Sequence, residues 1–216
     1  QLGQLSSLQV ILSPGLLVSF ALLGVFPLVA RKAVAVVNAR KVYARWKTLR
    51  PKRFDRNLVV IGAGAGGLVT AYIAAAVKAK VTLVEAHRMG GDCLNYGCVP
   101  SKALIRTARL AHQMRHGARY GLSDCAPAFS FQSVMQRIHA VIAAIEPHDS
   151  VERYTGLGVE VLQGYATIVN PWTVEIALND GSKQTLSTRA IVIAAGAKPV
   201  VPPLPGLDDV GYVTSD

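Results

Sequence analysis

The pattern of hydrophobic and polar positions changes character twice along the chain. Residues 16–30 are apolar apart from Ser19, and residues 8–30 carry no charged side chain. About 20 such residues suffice to cross a bilayer, and Pro14 and Pro27 lie near the ends of the run, where a membrane helix tolerates them. Residues 1–30 are therefore expected as a transmembrane helix or the end of a membrane domain. Residues 31–56 read as a basic juxtamembrane connector, partly helical and ended by Pro51, with Tyr43 and Trp46 as interfacial anchors. At Asn57 the pattern becomes that of an α/β domain. It predicts a buried strand over 58–61, a helix over 68–78 and a second strand over 81–84. A helical run follows over 103–116, opened by Pro100, Ser101 and Lys102. Val134, Met135, Ile138, Val141, Ile142 and Ile145 then recur at helical spacing behind Phe131, and Pro147 interrupts before a further turn over 148–154. From Gly158 the alternation is that of strands: 159–162, 165–169, 173–178, 184–186 and 190–193, with Asn179, Asp180 and Gly181 as a hairpin turn. Residues 198–205 are proline-rich and read as an extended crossover out of the domain.

Composition sharpens this picture. The 216 residues are enough for a real core, and the 51% hydrophobic content is high for one soluble domain, which agrees with a membrane segment. The net charge is +10, of which +9 falls in residues 31–56. A basic block beside an apolar run is a membrane flank, with lipid through residues 1–53 as its partner. No nucleic-acid reader motif is present, so nucleic acid is excluded as a partner. Arg31 and Lys32 place the following domain on the cytoplasmic side. A signal peptide fits less well, because the basic residues follow the apolar run. The chain does not begin with Met and is expected to be an internal piece of a longer protein. Three cysteines do not make a secreted disulfide framework: Cys93 and Cys98 pair, while Cys125 falls in a loop with no assigned role. His112, His116, His139 and His148 show no metal-ligand spacing, and no metal site is expected.

Two stretches carry chemistry. Gly62, Gly64 and Gly67 form Gly-x-Gly-x-x-Gly between a strand and a helix, with Glu85 at the end of the next strand, 18 residues past the last glycine. In that context Gly62 makes the tight turn, Gly64 lets the backbone approach a pyrophosphate, and Gly67 lets helix and strand pack closely. The loop Gly62, Ala63, Gly64, Ala65, Gly66, Gly67 and the helix N-terminus would hold the phosphates, and Glu85 would accept hydrogen bonds from a ribose diol. The second stretch follows directly. Cys93 and Cys98 lie five apart, after Gly90 and Gly91 and around Gly97, at the start of a helix. A disulfide closing so short a loop removes little chain entropy, so it suits opening and closing better than stabilising a fold. A helix start favours the thiolate of one of the two sulfurs. A dinucleotide site and a dithiol this close together read as an electron carrier presented to a disulfide.

The segments Gly90–Lys102 and Gly196–Gly206 together make the chain resemble the pyridine nucleotide-disulfide oxidoreductases, which include dihydrolipoyl dehydrogenase, glutathione reductase and mercuric reductase. The resemblance covers residues 57–216. It implies a Rossmann-like FAD-binding domain with three layers, a parallel sheet plus a β-meander, as the first FAD segment, cut before the NAD(P) domain. The membrane segment resembles bacterial members fused behind a SNARE-associated (DedA-like) membrane domain, which implies an inner-membrane location. Carried over by residue, Gly62, Gly64 and Gly67 hold the FAD pyrophosphate and Glu85 the adenosine ribose, flanked by Ala86. Gly91 and Asp92 lie beside the phosphates. Cys98 is the flavin-proximal thiol, Cys93 the interchange thiol, and Lys102 tunes the flavin. Ala166 touches the adenine. Ala195 and Gly196 match the family's Ala-Thr-Gly element with Ala in place of Thr. Asp92 departs further, since relatives usually carry Thr there, and a carboxylate near phosphates needs a cation, a proton or a turned rotamer. The implied activity passes electrons from NAD(P)H through FAD to Cys93–Cys98 and on to a disulfide or Hg(II), in a homodimer of the full-length protein. The nicotinamide site would lie beyond residue 216, and the fragment alone is expected to be inactive. A flavin-binding redox sensor and an accessory domain of a membrane transport protein are the competing readings.

Overall fold

The computed structural model describes residues 14–214. The chain divides into two units, one ending at Arg50 and one beginning at Pro51. Part of the expected membrane segment, residues 1–13, lies outside the described residues. The rest forms α1 (Pro14–Tyr43), continued by a 3₁₀ turn (Ala44–Leu49). The helix runs through Pro27, carries no acid in its first turn, and ends on Arg40 and Lys41, which complement its carbonyl end. No residue of α1 is buried, and Phe20, Leu23 and Phe26 stand 60–71% exposed. Its length and composition are sufficient to cross a membrane. Arg45 lies over the Trp46 ring, 5.0 Å from its centroid.

The second unit is built on β1 (Arg56–Ile61), α2 (Ala65–Ala76) and β2 (Val81–Glu85), followed by α3 (Gly91–Asn95), α4 (Cys98–Arg115), α5 (Phe131–Ile145) and α6 (Val151–Gly156). Strands β3 (Val159–Asn170), β4 (Thr173–Leu178) and β5 (Lys183–Ile193) and a short α7 (Leu207–Val210) complete it. The strands β5, β1, β2 and β3 lie parallel in that order, with Leu58 opposite both Val81 and Ala190. Beyond Glu85 and Gln163, β3 turns from β2 to an antiparallel partner, β4, which in turn pairs with the first half of β5. Hydrogen bonding therefore closes into a ring of five strands.

Strand alternation sends side chains to two different cores. Val60, Val81 and Leu83 pack with Leu68, Ala71 and Ala75 of α2 and with Tyr154. Val59 and Val84 point the other way and meet Val174, Ile176 and Leu186 of the meander. The result is helix, parallel sheet and meander in three layers, as the sequence predicts. Where the reading expects four separate strands, two long ones stand. Gly164 lies within β3, where a Cβ would meet the Ala177 carbonyl and come within 2.9 Å of the Leu178 Cα. It is there for close strand approach and not as a break.

One polar cluster is set into this sheet. Arg56 Nε donates to Thr82 Oγ1 at 2.6 Å, Arg56 Nη2 to Glu160 Oε2 at 2.6 Å, and the fully buried Thr82 hydroxyl to Glu160 Oε2 at 2.5 Å. Burial pushes the Glu160 carboxyl up, but the hydrogen bonds from Arg56 and Thr82 and the Arg56 charge outweigh it and hold the group below its ordinary value of 4.5. The contribution to stability is thus present above that value and lost as the pH falls through the lower, folded one. Denaturant titrations at falling pH should show wild-type stability declining more steeply than that of Glu160→Gln. Parallel curves would remove the cluster from the account.

Candidate functional site

The C-terminal ends of β1 and β2, residues 164–168 of β3 and the chain at and after the end of β5 border a cleft of about 910 Å³. Ligands of open α/β sheets lie at this end of the strands. Gly62 leaves β1 at φ +100, with its N–H donating to the Val84 carbonyl at 2.7 Å. A Cβ on Gly62 would strike the Ala194 carbonyl, and one on Gly67 would strike the carbonyl oxygen of Gly62 and lie 2.9 Å from its carbon. Gly64 is different. Its φ is −76, and a Cβ there would meet only the Gly91 Cα, at 3.8 Å. The first and third glycines are thus required by the protein's own packing, whereas the second leaves space on the cleft wall. Gly64 is also the N-cap of α2 and offers no side-chain acceptor, so the first-turn amides stay available to an anion.

Glu85 closes the loop from below. Its Oε2 accepts from the buried Ala63 N–H at 2.6 Å and its Oε1 from the His87 N–H at 2.8 Å. The carboxylate therefore fixes the glycine loop, and each oxygen keeps a lone pair for a diol.

The cysteine stretch is docked directly on this loop. Gly90 adopts φ +85 and donates its N–H to the Ala63 carbonyl at 2.9 Å, and a Cβ on Gly91 would lie 2.7 Å from the Gly64 Cα. Asn95 clamps the turn by donating to the carbonyls of Met89 and Gly91. Short helix α3 presents Cys93, and α4 begins at Cys98, earlier than expected at residue 103. Gly97 joins them: a Cβ there would sit 3.0 Å from the Asp92 carbonyl, which accepts from the Tyr96 and Gly97 amides. Both thiols are free. The neighbouring Cys98 thiol and burial push the half-buried Cys93 thiol up, while Lys102 opposes them.

Of the residues singled out from the sequence, Gly62, Gly64, Glu85, Ala86, Gly91, Asp92, Ala166, Ala195 and Gly196 line the cleft. Ala63 and Gly67 are buried behind it, and Ala65 and Gly66 lie exposed on the loop and first turn of α2. Cys93, Cys98 and Lys102 are not in the lining, but Asn95 and Tyr96, from the same segment, are. Sequence reasoning missed Arg88, Tyr165 and Lys198, which also line the cleft. For Arg88 and Lys198 the position just past a strand end was the available signal, whereas Tyr165 lies within β3. Arg88 and Lys198 put cations into the cleft that holds Asp92. The His112 and His116 rings, one turn apart on α4, lie with centroids 4.2 Å apart and planes tilted by 30°. The residues present fit FAD on these grounds: a cleft at the strand ends, an open glycine wall, a helix start without a side-chain cap and the Glu85 carboxylate at the end of β2.

Comparison with known proteins agrees. Residues 56–216 match the family described as pyridine nucleotide-disulphide oxidoreductase. A mercuric reductase of Shewanella putrefaciens is 38% identical over 164 residues, covering 74% of this chain and 29% of that protein. A mercuric reductase of Streptomyces lividans is 35% identical, covering 74% and 34%, and the mitochondrial dihydrolipoyl dehydrogenase of Caenorhabditis elegans is 37% identical, covering 71% and 30%. The chain thus spans about a third of the length of these curated relatives. With a matching glycine loop, cleft and dithiol on one backbone unit, the chain belongs to the pyridine nucleotide-disulphide oxidoreductase family.

Proposed function

We propose that this chain is the FAD- and dithiol-bearing part of a membrane-tethered oxidoreductase that passes electrons from NAD(P)H to a disulfide or Hg(II) acceptor. The observation that carries the reading is the direct backbone docking of the cysteine segment on the glycine loop, through Gly90 N–H to Ala63 and Gly91 against Gly64. A stable fold alone has no need to place a dithiol beside a dinucleotide cleft.

In this reading Gly62, Gly64, Gly66 and the start of α2 bind the pyrophosphate, Glu85 and Ala86 the ribose end, and Ala166, Ala195 and Gly196 the rest of the cleft. Asp92 is accommodated by the cations Arg88 and Lys198. FAD, when bound, supplies two-electron chemistry between a nicotinamide and the dithiol. Cys98 would take the electrons from it, Lys102 would be a cation one turn along α4, and Cys93 would exchange with the acceptor. The relatives named mercuric reductase favour Hg(II) as acceptor, and the one named dihydrolipoyl dehydrogenase favours a disulfide. The exposed apolar surface of α1 supports a lipid partner, with the basic run after it at a negatively charged membrane face on the cytoplasmic side.

The test is made on the full-length protein. It should purify yellow, sediment with membranes and be released by detergent and not by salt. Reduction should raise a long-wavelength thiolate–flavin band that is lost in Cys98→Ser and kept in Cys93→Ser, and both variants should lose turnover with a disulfide and with Hg(II). A protein that stays colourless when offered FAD overturns the reading. Flavin binding without turnover on any such acceptor would favour a redox sensor instead, and transport that survives both cysteine variants would favour an accessory role.

A further inference from the structure

Read one by one, His112, His116, His139 and His148 predict no metal site, yet the last turn of α4 brings two of them together. His112 and His116 lie four residues apart, the spacing that puts two imidazoles on one face of a helix. Their rings are in contact, with centroids 4.2 Å apart. His116 Nδ1 lies 2.8 Å from the His112 carbonyl oxygen. A carbonyl only accepts, so Nδ1 is the donor and the neutral ring carries its lone pair on Nε2. A backbone carbonyl on the other ring nitrogen is a partner that fixes and orients a metal-ligating histidine. Nε2 of His116 and both ring nitrogens of His112 take no hydrogen bond among the described residues. The backbone of this turn is held as well. The His116 N–H donates to the Gln113 carbonyl at 3.1 Å and the Cys125 N–H to the Met114 carbonyl at 2.8 Å. His112 is exposed and His116 half-buried, so the pair is open to solvent.

We propose that the C-terminal turn of α4 binds a late first-row divalent metal ion through His112 and His116, with water completing the coordination. Two imidazoles on one ion, each at about 2.0–2.1 Å, must bring their nitrogens close together. Two rings already in contact, and held by no other side chain, do so by side-chain rotation alone. The carbonyl end of the helix favours a cation there. Arg109, Arg115 and Arg119, within one turn of the pair in sequence, oppose one. Two neutral nitrogen ligands among arginines therefore favour the ion of greatest intrinsic affinity, which is Cu(II), over Zn(II) and Ni(II). A bound ion staples the last turn of α4 to the turn before it. The site is separate from the dithiol. His112 lies fourteen residues along the helix from Cys98, about 21 Å at 1.5 Å per residue, so no ion bridges the two. The inference goes beyond the proposed function and does not rest on it.

The experiment alkylates the cysteines of the full-length protein with iodoacetamide, to silence thiol ligands, and titrates it with Cu(II) at neutral pH by equilibrium dialysis and electron paramagnetic resonance. Wild type should take up one equivalent more than His112→Gln or His116→Gln, and the difference spectrum should carry nitrogen superhyperfine structure. Either variant should bind that equivalent at least tenfold more weakly, whereas His139→Gln on α5 should match wild type. Zn(II) and Ni(II) should displace it less readily than added Cu(II) does. Acidification should release it, because a coordinating imidazole must be unprotonated. His112 is exposed, so His112→Gln decides the matter if His116→Gln fails to fold by circular dichroism. Equal uptake and equal spectra in wild type and a folded single variant overturn the proposal and leave an adventitious ion only. Metal uptake needs no flavin, so the two readings fail separately. Uptake that depends on the pair in a protein that binds no FAD sinks the oxidoreductase reading alone, and uptake indifferent to the pair in a yellow protein sinks the metal site alone.

Discussion

Gly67→Ala is expected to destabilise the second unit by about 3 kcal/mol or more, while Gly64→Ala, three residues away in the same loop, leaves stability nearly unchanged and weakens FAD binding. The contrast follows from what each missing side chain faces. At Gly67 a methyl group would occupy the place of the Gly62 carbonyl oxygen, and both groups are backbone held between β1 and α2. Neither can swing aside as a flexible side chain would, so the loop must open or the helix must lift off the sheet. Lifting α2 exposes Leu68, Ala71 and Ala75, which carry much of one core. At Gly64 the backbone is in an ordinary region and the nearest atom to the new methyl is at 3.8 Å, a normal contact. The methyl would instead stand on the cleft wall where the pyrophosphate is proposed to lie. Denaturant unfolding of the apoprotein and flavin titration separate the two effects. A loss of at least tenfold in affinity, about 1.4 kcal/mol, is expected for Gly64→Ala. Equal flavin affinity in Gly64→Ala and wild type would refute the assignment of that wall.

Glu85→Ala is expected to weaken the apoprotein by about 2 kcal/mol before any cofactor is added, and to weaken flavin binding as well. The ribose role read from the sequence accounts for the second effect only. The first arises because both carboxylate oxygens take backbone amides, and the Ala63 amide belongs to a buried residue. Removing the acceptor leaves that donor without a partner, and the same strand of backbone holds Gly90 through the Ala63 carbonyl. The cysteine segment should therefore loosen too, which faster amide exchange at Gly90 would report. Glu85→Gln keeps one acceptor oxygen and should lie between the two. If apoprotein stability is the same in Glu85→Ala and wild type, the carboxylate has a cofactor role alone.

Much of the site was legible because its signals are local. Val59, Val60 and Ile61, the glycines at 62, 64 and 67, and Glu85 past Val84 form a strand, turn, helix and strand whose register leaves little freedom, and the observed β1, α2 and β2 agree with it. The paired glycines before Cys93 and the one before Cys98 marked the dithiol segment in the same way, since a side chain at Gly91 or Gly97 would strike backbone and one at Gly90 would strike the Leu94 side chain. The boundaries were less legible. α2 begins at Ala65, where a glycine-rich helix start has no apolar period to read, and α4 begins at Cys98, ahead of Pro100 in its first turn.

What the linear pattern of residues determined, then, was the dinucleotide loop, the dithiol and the alternating strands, all set by contacts between near neighbours. The closure of the strands into a ring was decided only in three dimensions, because β3 and β5 each change partner part-way along, and Gly164 looks the same in sequence whether it ends a strand or lets one pass close to another. The convergence of Arg88 and Lys198 on the cleft was also a tertiary decision. Those side chains come from segments far apart in the chain, and the field in a cleft depends on distance through space and on burial, neither of which a residue's neighbours in sequence specify.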